Sequence, residues 1–548
     1  MRDDATFSRS DFLKTMVLGV VAAGSGQALA GQTAPAQDAI TLEDLKAFAK
    51  VAGLTFNDAE LEQVRRDVAT DRAGYTAIRG VTDDYWLTPP NVYRIPGEVD
   101  ELGPIKVDVK PTLPKPKRPA KDEDVAFLTV AELGVLLRTK QISSTELTKI
   151  YLERLKQYGS KLVCVVALTE ELALKQAKEA DEEIAKGRYR GPLHGIPYGL
   201  KDLFAVKGYP TQWGTEAFRG QVIEENCAVF EKLEMAGAVC VAKLSLGALA
   251  MNDNWFGGRT LNPWNPKEGS SGSSAGSASA MAAGLVAFAI GTETSGSLMS
   301  PSQRCRITGL RPTFGSISRF GAMCLSWSMD KVGPLCRTAE DAGLVLAALV
   351  GRDERDFSSI DRPLVYRTPK DLKGTTVGVL GAMDSEYAQA LASLGAKLEA
   401  FTLPRPPAGL DVILSVEGAA MFDMITRNGK LDLVKENQWP QIFRAARFIP
   451  AVEYAQAERA RTILFRQYEA AFSAFDLVLA AGNGGPMIYN TNLTGHPQIH
   501  VPFKPTASGY TSFSLFAKPF QEAKLIGAAH LVQMKTEFYR LRPDLSKL

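Results

Sequence analysis

A lysine and two serines lie in glycine-rich surroundings in which their side chains could perform acyl-transfer chemistry. Lys201 follows the largely apolar stretch GPLHGIPYGL, and Ser273 comes 72 residues later in GSSGSSAGS. Ser297 closes a second glycine and serine cluster, 24 residues beyond Ser273. A serine hydroxyl becomes a nucleophile when a neighbouring base takes its proton, and a neutral lysine is one such base. These residue types therefore indicate a Ser–Ser–Lys proton relay.

The segment between the two serine clusters is apolar. It reads MAAGLVAFAIG over residues 281–291. A flexible surface linker would not carry such a run, so we predict a buried element with a polar turn at each end. Such turns would present backbone N–H groups and hydroxyls to a substrate.

Four motifs, in this order along the chain, resemble the amidase signature family: GPLHGIPYGLKDLF, GSSGSSAGSASAMAAG, IGTETSGSLMSPS and ITGLRPTFG. The resemblance extends from about Leu128 to the C-terminus. It implies an α/β fold with a large mixed β-sheet flanked by helices. It also implies an amidase that hydrolyses a carboxylic amide to a carboxylate and ammonia or an amine through a Ser–Ser–Lys triad.

The resemblance assigns a role to each member of the triad. Ser297 matches the nucleophile, because it closes the T-x-G-S turn that begins at Thr294. Ser273 matches the bridging serine, which a cis peptide bond precedes in the family. In this scheme the proton of Ser297 passes through Ser273 to Lys201 during attack and returns to the leaving amine.

Lys201 must be neutral to accept a proton. Burial between Leu200 and Leu203, away from carboxylates, would lower its pKa in the required direction. The adjacent Asp202 would not oppose this effect, because neighbouring side chains of an extended segment point to opposite faces.

The turn that ends at Ser297 would also form the oxyanion site. Backbone N–H groups of Thr294, Ser295, Gly296 and Ser297 would converge on the oxygen that becomes negatively charged. The family usually has glycine where this chain has Ser295, and the extra β-carbon narrows the backbone conformations allowed there.

Further residues match family positions outside the triad. We expect a structural role, as buried ion pairs or caps, for Arg311, Asp330 and Arg337. A loop near the pocket is expected for the C-terminal motif that contains Asn492, Gly495 and Pro497.

Two other functions stay open. The stretch Gly272 to Gly276 is also a G-x-S-x-G match, which would make Ser274 the nucleophile of an α/β-hydrolase-type esterase. Such an elbow should follow a strand, whereas NPWNPKEGS precedes this one, and its histidine would have to be His496, His500 or His530. The chain could also be a catalytically silent binding protein on the amidase scaffold, although Lys201, Ser273 and Ser297 are all present.

Composition limits the classes of partner. The 548 residues carry 63 basic and 61 acidic side chains, a net charge of +2, which gives no electrostatic basis for binding nucleic acid. The six cysteines form no C-x-x-C pair, and only four histidines occur. We therefore predict buried free thiols, no metal site and no cofactor. The expected partner is a small-molecule or peptide amide substrate, and a homodimer stays open.

The N-terminus has the layout of a signal peptide over residues 1–30. Arg2, Arg9 and Lys14 precede or flank the apolar run MVLGVVAAG, and the small-residue site ALA ends at Ala30. The segment SRSDFLK resembles a twin-arginine signal with Ser10 in place of the second arginine. The run is too short to span a membrane, so we predict export to the periplasm or the extracellular space without stable membrane insertion.

The rest of the chain divides by pattern. Residues 31–102 predict a helical extension, with helices in TLEDLKAFAKVAG and NDAELEQVRRDVATDR. Residues 103–123 are rich in proline and lysine and predict an extended linker or arm. Residues 124–548 alternate helix and strand patterns, which predicts one amidase domain.

Some family members are glutaminase subunits that supply ammonia to tRNA-bound substrates, but a signal peptide and an extension favour a freestanding, exported amidase. The substrate-pocket wall is expected within Met421–Ile449.

Overall fold

The computed structural model describes residues 40–81, 106–111, 113–506 and 509–548. The predicted signal peptide, residues 1–30, lies outside the described residues. Over the described ranges, no helix combines the length and the apolar character that crossing a membrane would require. The division of the chain into four parts stays a prediction.

A large mixed β-sheet forms the centre of the molecule. The strands of the described residues are β1 (Val107–Lys110), β2 (Val165–Leu168), β3 (Pro197–Lys201), β4 (Val239–Leu244), β5 (Asn254–Trp255), β6 (Gly258–Arg259), β7 (Leu261–Asn262), β8 (Asn265–Gly269), β9 (Phe288–Glu293), β10 (Thr308–Arg311), β11 (Lys331–Cys336), β12 (Leu364–Arg367), β13 (Thr376–Leu380), β14 (Lys397–Ala400), β15 (Leu477–Ala481), β16 (Gln498–Thr506) and β17 (Gly509–Ala517). Eleven of them form one sheet in the order β14-β13-β15-β17-β16-β10-β11-β9-β3-β4-β2.

Parallel pairing occurs in two parts of this sheet. Strands β9, β3 and β4 are parallel, as are β14, β13 and β15, and the strands between them pair antiparallel. Strands β3, β4, β9 and β11 are buried along their whole length. Helices cover both faces of such a sheet, which is why its strands are continuous apolar runs in the sequence. The predicted fold class is confirmed.

Helices pack around the sheet. They are α1 (Leu42–Val51), α2 (Asp58–Val81), α3 (Asp122–Val125), α4 (Val130–Arg138), α5 (Ser144–Tyr158), α6 (Glu170–Ala185), α7 (Ala228–Met235), α8 (Ala275–Ala282), α9 (Met299–Cys305), α10 (Ala339–Leu349), α11 (Glu386–Ser393), α12 (Asp411–Met421), α13 (Asp423–Arg427), α14 (Trp439–Ala446), α15 (Ala451–Phe472), α16 (Met487–Leu493) and α17 (Glu522–Thr536). Helix α8 and strand β9 account for the apolar run between the serine clusters, and both are fully buried as predicted.

The two helices predicted in the N-terminal extension are present. Thr41 caps α1 through a capping box with Asp44, and the Asn57 side chain accepts a hydrogen bond from the Glu60 N–H at the start of α2. Both helices pack against the segment that contains α14. The predicted linker contains a strand that the sequence pattern did not indicate, since β1 pairs in parallel with β12.

Candidate active site

Three chain segments meet at one edge of the sheet. Strand β3 ends at Lys201, and the parallel neighbour β9 ends at Glu293, directly before the turn from Thr294 to Ser297. The carboxyl ends of parallel neighbours lie at the same edge, where open α/β sheets bind their ligands. The third segment contains Ser273, and the N–H of the next residue, Ser274, donates to the Ser297 carbonyl at 3.0 Å. The tertiary structure thus brings Lys201 and both serine clusters together.

Lys201 is fully buried, and its amine is surrounded by hydroxyl groups. Its Nζ donates to Oγ of Ser273 at 2.9 Å, to Oγ1 of Thr292 at 2.9 Å and to Oγ of Ser274 at 3.1 Å. Burial lowers the pKa of Lys201 to about 7. The predicted direction of this shift is therefore present.

The prediction of a lysine environment without carboxylates was wrong in part. Asp330 and Glu293 raise the pKa of Lys201, although burial outweighs them. Both were outside the predicted site because they are 92 or more residues from the lysine in the sequence. Asp202 behaves as predicted, since its carboxylate forms a buried ion pair with Lys243 at 2.9 Å.

Ser273 lies in a tightly constrained turn. The peptide bond between Gly272 and Ser273 is cis, as the resemblance implies. A β-carbon on Gly272 would approach the Asn252 carbonyl oxygen to 1.8 Å, so only glycine fits at that position. The turn therefore holds the Ser273 hydroxyl against Lys201.

The turn that ends at Ser297 faces a cavity of about 340 Å³. Thr294, Ser295, Gly296 and Ser297 all line this cavity, as does Gly272. Gly296 has a φ of +107°, a conformation that favours glycine. The half-buried Ser297 is thus accessible from the cavity, whereas Lys201 and Ser273 are fully buried behind it.

A buried ion pair supports this turn from behind. Oε2 of Glu293 accepts hydrogen bonds from the N–H groups of Leu298 and Met299 at 2.9 Å each. Its Oε1 accepts from Arg311 Nη1 at 2.6 Å and from the Asn492 amide at 2.8 Å. Burial raises the pKa of Glu293, but Arg311 and Asn492 outweigh it and hold the pKa below its ordinary value. The structural role expected for Arg311 is present.

The sequence analysis missed Thr292 and assigned only a structural role to Asp330. Thr292 accepts a hydrogen bond from Lys201, and Asp330 accepts one from the Thr294 hydroxyl at 2.6 Å. The motif IGTETSG contains both threonines, but hydroxyl residues are common in glycine-rich turns, so the pattern carried no separate signal. Arg337 lies away from the cavity and donates to the Met281 carbonyl, in agreement with a structural role.

The cavity has an apolar wall and a polar one. Its apolar lining consists of Ala250, Met251, Leu325, Leu414, Trp439 and Ile442. Trp439 and Ile442 lie within the predicted wall segment Met421–Ile449, whereas Leu414 on α12 lies before it. The polar lining includes Asp253, Arg259 and Arg304.

Ser274 does not have the surroundings of an exposed elbow nucleophile. Its side chain is fully buried, and it donates to the Thr292 carbonyl at 3.1 Å and accepts from the Thr292 N–H at 3.2 Å. The three proposed histidine partners have other neighbours in the described chain: the side chain of His496 hydrogen-bonds to Thr494, that of His500 hydrogen-bonds to the Gly482 carbonyl, and Nδ1 of His530 lies 3.5 Å from the Glu340 carboxylate. The geometry therefore does not support the elbow hypothesis.

Comparison with known proteins shows the family of this chain and agrees with its α/β fold. The family model described as Amidase matches residues 146–488, and the chain belongs to this family, the amidase signature enzymes. The members to which it is similar act on amide C–N bonds as hydrolases or amidotransferases.

Individual relatives show how far the similarity extends. One subunit of the glutamyl-tRNA(Gln) amidotransferase of Carboxydothermus hydrogenoformans is 31% identical over 486 residues, covering 77% of this chain and 100% of the relative. The native peptide amidase of Stenotrophomonas maltophilia superposes with a TM-score of 0.69 at 28% identity, covering 76% of this chain and 98% of that one. A bacterial aryl acylamidase shares the fold. It superposes with a TM-score of 0.68 at 22% identity, covering 76% of this chain and 98% of that one.

Proposed function

We propose that this protein is a freestanding amidase that hydrolyses a carboxylic amide through an acyl-enzyme on Ser297. The observation that carries the proposal is the 2.9 Å hydrogen bond between the buried amine of Lys201 and the Ser273 hydroxyl, directly behind the turn that presents Ser297. A pKa of about 7 for Lys201 allows the neutral amine that a base requires.

The first half of the proposed reaction forms the acyl-enzyme. Oγ of Ser297 bonds to the amide carbon while its proton passes to Oγ of Ser273 and the Ser273 proton passes to Nζ of Lys201. The N–H groups of the turn from Thr294 to Ser297 stabilise the oxyanion. The C–N bond then breaks, and the leaving amine takes a proton back through the same relay.

The second half releases the acid. A water molecule attacks the acyl carbon and gives its proton to the Ser273–Lys201 relay. The bond from the carbon to Ser297 Oγ breaks, and the relay returns a proton to Ser297. The product is released as a carboxylic acid, which loses its remaining proton to the solvent to become the carboxylate, and the free enzyme is ready for another cycle.

The substrate proposal rests on the cavity and on one relative. The lining by Trp439, Ile442, Leu325 and Leu414 favours an apolar or aryl group next to the scissile amide. Similarity to a peptide amidase at 28% identity supports peptide amides as candidates. The signal-peptide pattern of residues 1–30 supports export, which favours a freestanding enzyme over one component of a tRNA-dependent amidotransferase.

Labelling with a serine-reactive fluorophosphonate, followed by peptide mass mapping, tests the proposal. We expect the adduct on Ser297 and a loss of labelling in Lys201→Ala. The same substitution should lower the rate of amide hydrolysis at neutral pH by about 100-fold or more, since the base is removed. An adduct on Ser274 would favour the elbow-type hydrolase, and no adduct at all would favour a binding protein. Retention of most of the activity in Lys201→Ala would remove the lysine from the mechanism.

A further inference from the structure

A second cavity, of about 550 Å³, adjoins the active-site cavity. Ser271, Ser300 and Arg304 line both, and the two neighbouring cavities together make up a cleft of two parts. The second cavity is polar, and its other lining residues are Asn262, Asn265, Glu268, Gln303, Arg306, Asn483, Gly509 and Tyr510. The cleft therefore joins an apolar part beside Ser297 to a polar part rich in neutral amides.

Arg306 is held rigidly at the wall of the polar cavity. It follows α9 directly and has a φ of +56°. The central carbon of its guanidinium lies 4.6 Å from the centroid of the Trp264 ring and 4.7 Å from that of the Tyr510 ring. The Trp264 indole N–H donates to the Cys305 carbonyl at 2.9 Å, which fixes one of these rings. Cation–π contacts with these rings use none of the N–H donors of the guanidinium, which are left for hydrogen bonds.

Arg306 has no ion-pair partner among the described residues. Arg304 has Glu268 at 3.3 Å, and Glu268 also accepts from Asn265. By contrast, no acidic side chain of the described ranges forms an ion pair with Arg306. The Nε atom of Arg306 is buried and has no hydrogen-bond partner among the described residues. Burial lowers the pKa of Arg306, and nearby Tyr510 and Glu268 offset this in part. A half-buried guanidinium whose Nε is buried without a partner, at the wall of a polar cavity, is suited to a carboxylate.

We propose that Arg306 binds a carboxylate of the substrate, so that this enzyme prefers amides whose chain carries a carboxylate remote from the scissile bond. This inference rests on the proposed function and names a substrate class for it. Helix α9 begins two residues after Ser297 and rises about 9 Å from its first residue to its last. A substrate that occupies both cavities would place an apolar or aryl group in the first cavity and a remote carboxylate beside Arg306.

Matched substrates test the inference. Suberanilate and octananilide have the same length and differ in the terminal carboxylate, which suberanilate bears on its acyl side. N-butyryl-8-aminooctanoate and N-octylbutyramide form the corresponding pair for the amine side. In Arg306→Gln, kcat/KM for the acid of at least one pair should fall about 10- to 100-fold, mainly through KM, because a charge-assisted hydrogen bond is lost. The neutral partner should change less than about twofold.

Controls separate this result from a folding defect and from failure of the proposed function. Arg542→Gln removes an arginine that also stacks on an aromatic ring, at 4.7 Å from Phe127, but is outside the cleft, and it should change neither pair. Fluorophosphonate labelling of Ser297 should keep its rate in Arg306→Gln. Calorimetric binding of suberate should weaken in that variant even if the wild type hydrolyses no amide.

Other outcomes overturn the inference. Equal losses for the acid and its neutral partner would show that Arg306 supports the fold rather than binding a carboxylate. Unchanged kinetics for both pairs, together with unchanged suberate binding, would show that Arg306 does not contact the carboxylate and would also overturn the inference. If Arg306→Gln fails to fold, Arg306→Lys keeps the charge but not the planar fork, and a selective loss for the acid is again required.

Discussion

At the scale of single residues, the pKa of Lys201 determines how activity should depend on pH. A lysine that accepts a proton must be neutral, and burial brings its pKa to about 7. We therefore expect kcat/KM for a non-ionising amide to level off above about pH 7 and to fall about tenfold per pH unit below it. A pH–rate profile from pH 5 to 9 measures this. A profile that stays flat down to pH 5 would contradict a lysine base.

The ion pair between Arg311 and Glu293 is expected to stabilise the fold more than a surface pair does. Both side chains are fully buried at 2.6 Å. Arg311→Met would leave the Glu293 carboxylate buried without its countercharge and should lower the free energy of unfolding by about 3–5 kcal/mol. Urea unfolding measures the loss. Lys397→Gln, which removes a pair exposed to solvent, is the control and should change stability far less.

At the scale of elements, one helix connects the N-terminal extension with the active site. Trp439 and Ile442 on α14 line the cavity, while Gln441 and Arg444 on the opposite face contact α2. The Arg444 guanidinium lies 2.7 Å from the Glu60 carboxylate. The 3.6-residue period of the helix separates these two faces. The extension therefore contacts the back of the substrate-pocket wall.

Weakening this contact should loosen α14. In Glu60→Gln, the ion pair with Arg444 is lost while Arg444 keeps its ion pair with Asp432 at 2.6 Å, so we expect a cost of about 1 kcal/mol. We expect faster amide hydrogen exchange in residues 439–446 and a higher KM for apolar amides, with kcat little changed. Glu62→Gln is the matched control, because Glu62 on the same helix pairs with Arg65 instead. Equal exchange in both variants would contradict a positioning role for the extension.

At the scale of the whole molecule, catalysis should be independent of metal ions. The described residues contain no group of three His, Cys, Asp or Glu side chains placed to hold a metal ion. The proposed relay also supplies its own base in Lys201 and its own oxyanion donors in the turn before Ser297. Dialysis against EDTA should therefore leave the rate of amide hydrolysis unchanged. A loss that added metal restores would contradict this expectation.

Local residue motifs, through the family that they resemble, predicted the fold class, which is confirmed, and a candidate triad of Lys201, Ser273 and Ser297, which stays a proposal. The glycine and serine motifs are continuous in the chain, and local turns and buried strands have local residue patterns. The apolar run of residues 281–291 predicted burial without any tertiary information. For the same reason the caps at Thr41 and Asn57 could be predicted from residues only three positions apart.

Which distant side chains surround the triad depends on the tertiary structure alone. Asp330 and Glu293 act on Lys201, and α2 contacts the back of α14, because the fold brings together residues far apart in the sequence. Arg306 shows the same limit, since its stacking partners Trp264 and Tyr510 are separated by 246 residues. Such contacts depend on how the strands are ordered in the sheet, and a local pattern carries no information about that order.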